Sequence, residues 1–418
     1  MQSKVKAQLS AMMFLEFFIW GAWYVTMWKY LTAVNFDNII GLAYSTTGIA
    51  AIISPLFIGM IADRFFATEK VLAILHIAGA VLMFAVSEIS NSTVFFWVLL
   101  GYAVCYMPTL ALTNSISLCQ MSDPEKEFPP IRVLGTIGWI IAGLIIGFMP
   151  ESISGLSTIE NTSIPMKIAA GASLIMGFYC LTLPHTPPPS AGKKVSVRDV
   201  LGLDALKMLR DPQFAIFLIC SFLICIPLAF YYQSANGFLG EVGVENAAGK
   251  MTLGQASEFF FMLVMPFFFV RLGVKKMLLV GMLAWVARYL MFAFGNSGSL
   301  VFMLYIGIML HGICYDFFFV TGQIYVDKKA PKEIRSSAQG FLALITLGLG
   351  MIIGSLINGK VTRYYETAGD IGHNWKMIWL IPCIMAGVVA ILFGILFKDE
   401  ISAKRVQNQP TGAANEFK

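Results

Sequence analysis

The chain has 418 residues, of which 57% are hydrophobic, 13% aromatic and only 13% charged. Soluble domains use about 45–50% apolar and about 25% charged residues, so a water-soluble protein is excluded and a polytopic membrane protein is expected. The net charge of +5 includes no Lys/Arg run interleaved with aromatics, which argues against nucleic acid as a partner and suits loops that face an anionic leaflet.

A helix needs about 20 apolar residues to span a bilayer. Runs of that kind occur at 10–31, 39–62, 71–89, 94–117, 130–150, 164–184, 214–236, 249–270, 277–295, 299–320, 336–359 and 376–397, predicting an all-α membrane protein with twelve transmembrane helices. The first run is long enough to span and lacks a small-residue cleavage site, so it reads as a span and not as a removable signal. One long polar connection, Pro184 to Asp211, separates the sixth run from the seventh; its amphipathic stretch Val200 to Leu209 is expected to lie on the membrane surface. The predicted organisation is an N-terminal six-helix half (1–184), a central loop (185–213), a C-terminal six-helix half (214–397) and a tail (398–418).

Lys and Arg cluster on one side of these spans: Lys4 and Lys6, Arg64 and Lys70, Lys126, Lys193 to Arg210, Arg271 to Lys276, Lys328 to Arg335, and Lys398 to Arg405. The other side receives Lys29, Lys167, Lys250, Lys360, Arg363 and Lys376. The positive-inside rule therefore puts both termini and the central loop in the cytoplasm. The seven cysteines show neither CxxC nor a metal-ligand spacing and read as small core residues.

Ionisable groups inside spans are costly and mark function or a buried partner. In the fifth run Arg132, Thr136 and Trp139 share one helical face, a cation, a hydroxyl and an indole suited to a polar ring-containing ligand, while Gly138, Ala142 and Gly143 allow a neighbouring backbone to approach. Snorkelling of Arg132 to the interface is the alternative. Glu16 shares a face with Trp20 and Trp23, and could reach a bound ring or fill the interface between halves. Gln255 and Glu258, three residues apart, together accept and donate hydrogen bonds as a nucleobase edge requires. Asp316, in the aromatic run YDFFF, could exchange a proton or be held ionised by Arg132 or Arg288. His311 stands one turn before Tyr315, and His76 and Arg288 read as structural.

The segment Gly59-Met-Ile-Ala-Asp63-Arg64 resembles the first part of the major facilitator loop motif G-x-x-x-D-R/K-x-G, with Phe66 where glycine is usual. That resemblance implies two halves related by an axis along the membrane normal, a site between them, and a gating role for Asp63 and Arg64. The resemblance narrows at Tyr106-Met-Pro108-Thr109, Glu127-Phe-Pro-Pro-Ile-Arg132-Val-Leu-Gly135-Thr136-Ile-Gly138, Leu201-Gly-Leu-Asp204, Gln255-Ala-Ser-Glu258, Tyr315-Asp316-Phe317-Phe318 and Ala338-Gln-Gly340. Together these are similar to the bacterial nucleoside:proton symporter family.

The family resemblance implies a multi-pass protein of the bacterial cytoplasmic (inner) membrane that imports a nucleoside with a proton by alternating access, as a monomer, with no cofactor and no metal. It implies that Gln255, Glu258, Tyr315 and Asp316 meet the substrate, and that Asp316 takes part in proton linkage. Ala229 and Tyr232 stand where the family's amide pair is expected, leaving Tyr232, Gln233 and Asn236 as the span-seven contacts. His311 stands where the family often has tyrosine. Glu16 stands where it tends to have glutamine and is the rival proton carrier. A proton symporter for another polar ring compound, such as a sugar, is the alternative; no nucleotide-cradling loop or enzyme signature is present.

Overall fold

The computed structural model describes residues 2–54, 66–149, 155, 158–187, 203–331, 334–367 and 372–399. Among them the structure is helical, apart from one isolated bridge between Glu366 and His373. Among the described residues nine helices are long and apolar enough to cross a membrane, and Ile164–Cys180 is a shorter apolar helix. The surface is inverted relative to a soluble protein: Ile74, Trp97, Leu263, Val270 and Ile395 are exposed while Glu16, His76, Arg288 and Asp316 are buried, as expected where the outer solvent is lipid.

The N-terminal helices are α1 (Ser3–Trp23), α2 (Met27–Ala33), α3 (Ile40–Ser54), α4 (Thr68–Glu88), α5 (Ser92–Tyr106), α6 (Thr109–Cys119), α7 (Pro124–Phe148) and α8 (Ile164–Cys180). α1 and α2 form one span with a break at Tyr24–Thr26. Freed backbone groups in lipid need partners, and Tyr44 supplies them: its hydroxyl accepts from Trp28 N (3.2 Å) and donates to Tyr24 O (3.0 Å). The break between α5 and α6 falls at Pro108, which has no N–H to continue the ladder.

The C-terminal helices are α9 (Pro212–Glu241), α10 (Ala247–Phe294), α11 (Val301–Met309), α12 (His311–Tyr315), α13 (Thr321–Lys329), α14 (Arg335–Ala343), α15 (Met351–Tyr364) and α16 (Trp375–Leu396). Asp211 caps α9 by accepting from Gln213 N and Phe214 N. The predicted eighth and ninth spans are fused into α10, broken only at Gly273, whose φ of 69° suits glycine. π-helical turns at Asp316–Val320 and Leu344–Gly350 interrupt the tenth and eleventh spans, an arrangement common at functional positions.

Several expectations need correction. Two predicted spans are shorter than their helices: α9 runs to Glu241 and the tenth span to Lys329, because apolarity stops at the interface while the helix continues beyond it; the sixth, 164–184, is longer than its helix, which ends at Cys180. The described part of the amphipathic stretch is a 3-10 helix, Leu203–Arg210. Five cysteines are buried, but Cys105 is half-buried and Cys119 exposed. Asp63 and Arg64 lie outside the described residues.

The two helix groups approach most closely at the end opposite the N-terminus and near mid-span. There α7 meets α10 with Gly147 against Gly249, and α3 meets α15 with Gly41 against Gly359 and Gly48 against Gly348. Small residues let these backbones touch, which is the main source of helix association in lipid. Arg363 also donates to Asn38 O (2.8 Å), and Trp28 packs against His373 and Trp375.

Candidate functional site

The expected role of the small residues in α7 holds: a Cβ at Gly138 would lie 2.1 Å from Phe14 O, and one at Gly143 would lie 2.6 Å from Thr252. α7 is thus wedged between α1 and α10. Arg132, Thr136 and Trp139 are each partly exposed. The Arg132 guanidinium lies over the Phe17 ring, 4.1 Å from its centroid, and among the described residues it forms no ion pair. It lies within electrostatic range of Glu258 and Tyr315 across the gap between the helix groups.

From Trp139 a line of rings crosses the molecule. Trp139 meets Trp20 edge-on (5.5 Å), Trp20 meets Tyr24 (5.7 Å), Tyr24 meets Tyr232 of α9 (6.0 Å), Tyr232 meets His311 (6.1 Å) and His311 meets Tyr315 (6.0 Å). Trp20 Nε1 is buried without a partner. Flat aromatic faces with a few polar groups are what holds a small ring compound.

On the far side, α10 and α12 are in backbone contact. A Cβ at Gly312 would fall 2.5 Å from Ser257 C, and the Ser257 hydroxyl donates to Met309 O. This contact puts His311 Nε2 3.6 Å from Glu258 Oε2. Glu258 keeps 14% of its side chain exposed, whereas its neighbour Gln255 is buried.

The remaining expected site residues are not all gathered here. Asp316 is buried, and neither carboxylate oxygen has a hydrogen-bond partner. The ion pairs considered for it, with Arg132 or Arg288, do not form among the described residues. Gln233 is buried beside Gly359 with both amide atoms unpartnered. Asn236 is buried and donates to Glu160 (3.4 Å) and Met251 Sδ (3.9 Å). Of the span-seven trio, only Tyr232 is on the ring line.

Glu16 neither reaches that line nor fills the interface between the groups. Its carboxylate turns instead toward α4 and α6, where it accepts from Thr109 Oγ1 (2.6 Å) and meets His76 Nε2 (3.0 Å), while His76 Nδ1 meets Ser173 Oγ (3.3 Å). His76, expected to be structural, is therefore the partner of a buried acid.

Sequence reasoning missed Phe17 and Tyr24, which carry no polar signal beyond the apolar run, and the cluster around Glu160. That carboxylate is almost fully buried at the closed end. It contacts Lys29 Nζ at 2.5 Å and accepts from Ala248 N (2.9 Å) and Asn236 Nδ2 (3.4 Å), joining both helix groups. Its loop position gave no hint of this.

A profile described as nucleoside H+ symporter matches residues 3–402. YegT of Escherichia coli (strain K12) is 47% identical over 416 residues, 97% of each chain. The xanthosine permease of that organism is 32% identical over 422 residues, covering 97% of this chain and 99% of its own. The crystal structure of the nucleoside transporter NupG, 34% identical, gives a TM-score of 0.84 and covers 94% of this chain and 99% of that one. With a family profile spanning nearly the whole chain and relatives above 30% identity end to end, this chain belongs to the nucleoside H+ symporter family.

Proposed function

We propose that the nucleoside binds between the two helix groups, with Arg132, Thr136 and Trp139 on one side and Tyr232, Glu258 and Tyr315 on the other. The chain is a secondary transporter of the bacterial inner membrane, not an enzyme; it carries a nucleoside inward with a proton. The single observation that carries the site is the ring line from Trp139 to Tyr315, flanked by a partly exposed cation and a carboxylate that keeps 14% of its side chain exposed. The base stacks on the aromatic faces, Glu258 accepts its N–H groups, and Arg132 donates to oxygen.

Twelve spans in two six-helix halves follow if α10 counts as two arms and Ile164–Cys180 and α3 each count as a span. Both termini and the central loop are then cytoplasmic, and the tight end of the molecule faces outward. The site in this form communicates with the cytoplasm. Asp316 is the proton carrier: a carboxylate buried without a hydrogen-bond partner needs a proton or a cation. Gln233, Asn236 and Gln255, buried here, join the substrate when the outer end opens; Asp63 and Arg64 gate the inner end. The protein works as a monomer in the bilayer.

Uptake of a labelled nucleoside panel into proteoliposomes tests this reading. Accumulation is expected only with an inward proton gradient, and to fall at least tenfold in Trp139→Ala. Gradient-driven uptake of a sugar but of no nucleoside would overturn it.

A further inference from the structure

Arg288, on the second arm of α10, is completely buried behind the ring line, and it forms no ion pair among the described residues. Its guanidinium lies 3.2 Å from the centroid of the Tyr231 ring, with Phe292 at 5.9 Å. Tyr289 and Cys314 are its other titratable neighbours. Its NH1 is 3.3 Å from His311 Nδ1, and Tyr231 stacks on the same imidazole (5.3 Å).

A guanidinium only donates. A ring nitrogen in hydrogen-bond contact with it must offer a lone pair, so Nδ1 is the acceptor and the ring proton sits on Nε2. That N–H faces Glu258 Oε2 at 3.6 Å, just beyond hydrogen-bond length. Tyr232 and Tyr315 are the other titratable groups against the ring.

We infer that Arg288 is a positioning residue of the transport site: by donating to Nδ1 it fixes His311 as the Nε2–H tautomer and makes the imidazole the donor that orients Glu258. The role in transport rests on Glu258 meeting the nucleoside; the tautomer does not. With Glu258 oriented by His311, its second oxygen is free to accept from the ligand. Without Arg288, the ring proton can move to Nδ1, and Nε2 then turns a lone pair toward a carboxylate.

The test is nitrogen NMR of the full chain labelled with 15N-histidine in nanodiscs, with the His311 signals identified by their loss in His311→Gln. Wild type should show a neutral His311 protonated at Nε2 alone, with or without nucleoside. Protonation at Nδ1, or at both nitrogens, overturns the inference even if nucleoside binding is normal. Arg288→Met should release the tautomer and weaken nucleoside binding about tenfold, but should have no further effect in a His311→Gln background. An equal loss in both backgrounds would make Arg288 a packing residue and also overturn the inference. An Nε2–H tautomer in a protein that binds no nucleoside would instead refute the proposed site and leave the positioning intact.

Discussion

Glu160 offers the sharpest test of how the closed end is held. Its contact with Lys29 lies within the N-terminal helix group, so among the described residues only the bonds from Ala248 N and Asn236 Nδ2 tie it to the other group. Hydrogen bonds to a charged group contribute about 1.5–3 kcal/mol. The 2.9 Å bond from Ala248, near the N-terminus of α10, counts in full and gains from the helix dipole, whereas the 3.4 Å bond from Asn236 counts little. Glu160→Gln keeps an acceptor oxygen but loses the charge, and should therefore destabilise the closed end by about 1–2 kcal/mol, roughly a 5- to 30-fold shift toward opening. Ser355, buried where α15 meets α3 and with its hydroxyl unpartnered, is a suitable reporter. In a background without the seven native cysteines, Ser355→Cys should react with a membrane-impermeant maleimide faster by that factor when Gln replaces Glu160. A labelling rate within twofold of the parent would refute the reasoning.

Glu258→Gln should weaken nucleoside binding by about 1–3 kcal/mol through lost charge-assisted hydrogen bonds; an unchanged affinity by calorimetry would make Glu258 a packing residue. Gly312→Leu should separate α10 from α12, because even its Cβ would strike the Ser257 backbone; a melting temperature and affinity both equal to wild type would mean the two helices do not touch. Asp316→Asn should abolish gradient-driven accumulation while nucleoside exchange continues. Substrate-induced proton uptake that survives in Asp316→Asn and disappears in Glu16→Gln would move coupling to the first span.

Much of the fold was legible because lipid simplifies the code: an apolar run of sufficient length must be a helix. Hydropathy could not show where such helices break. Pro108 could be read, but the break before Met27 depends on the hydroxyl of Tyr44, and the fusion of two spans depends on one backbone angle at Gly273. The geometry of the candidate stripe was equally legible: Arg132, Thr136 and Trp139 lie on one helix, partly exposed, with the small residues beside them against neighbouring backbone, since one helix fixes both faces. Which helix would face that stripe was beyond sequence periodicity, so Phe17 and Tyr24 went unnoticed.

The three membrane carboxylates show best why neighbours, and not positions, assign roles. All three stood out equally in the sequence as charges within apolar runs. Glu16 is satisfied by Thr109 and His76 inside one helix group, and moving one group past the other need not disturb it. Among the described residues Asp316 has no hydrogen-bond donor, so its charge state must respond to whatever proton or cation reaches it. Glu258 alone combines partial exposure, a histidine nitrogen at 3.6 Å and the field of a cation from the opposite group. In the proposed site, a ligand between Arg132 and Glu258 would screen each from the other, and the changed field at Glu258 would reach Asp316, which lies within electrostatic range of it. That shared field is a physical route by which nucleoside and proton can be carried together without touching the same atom.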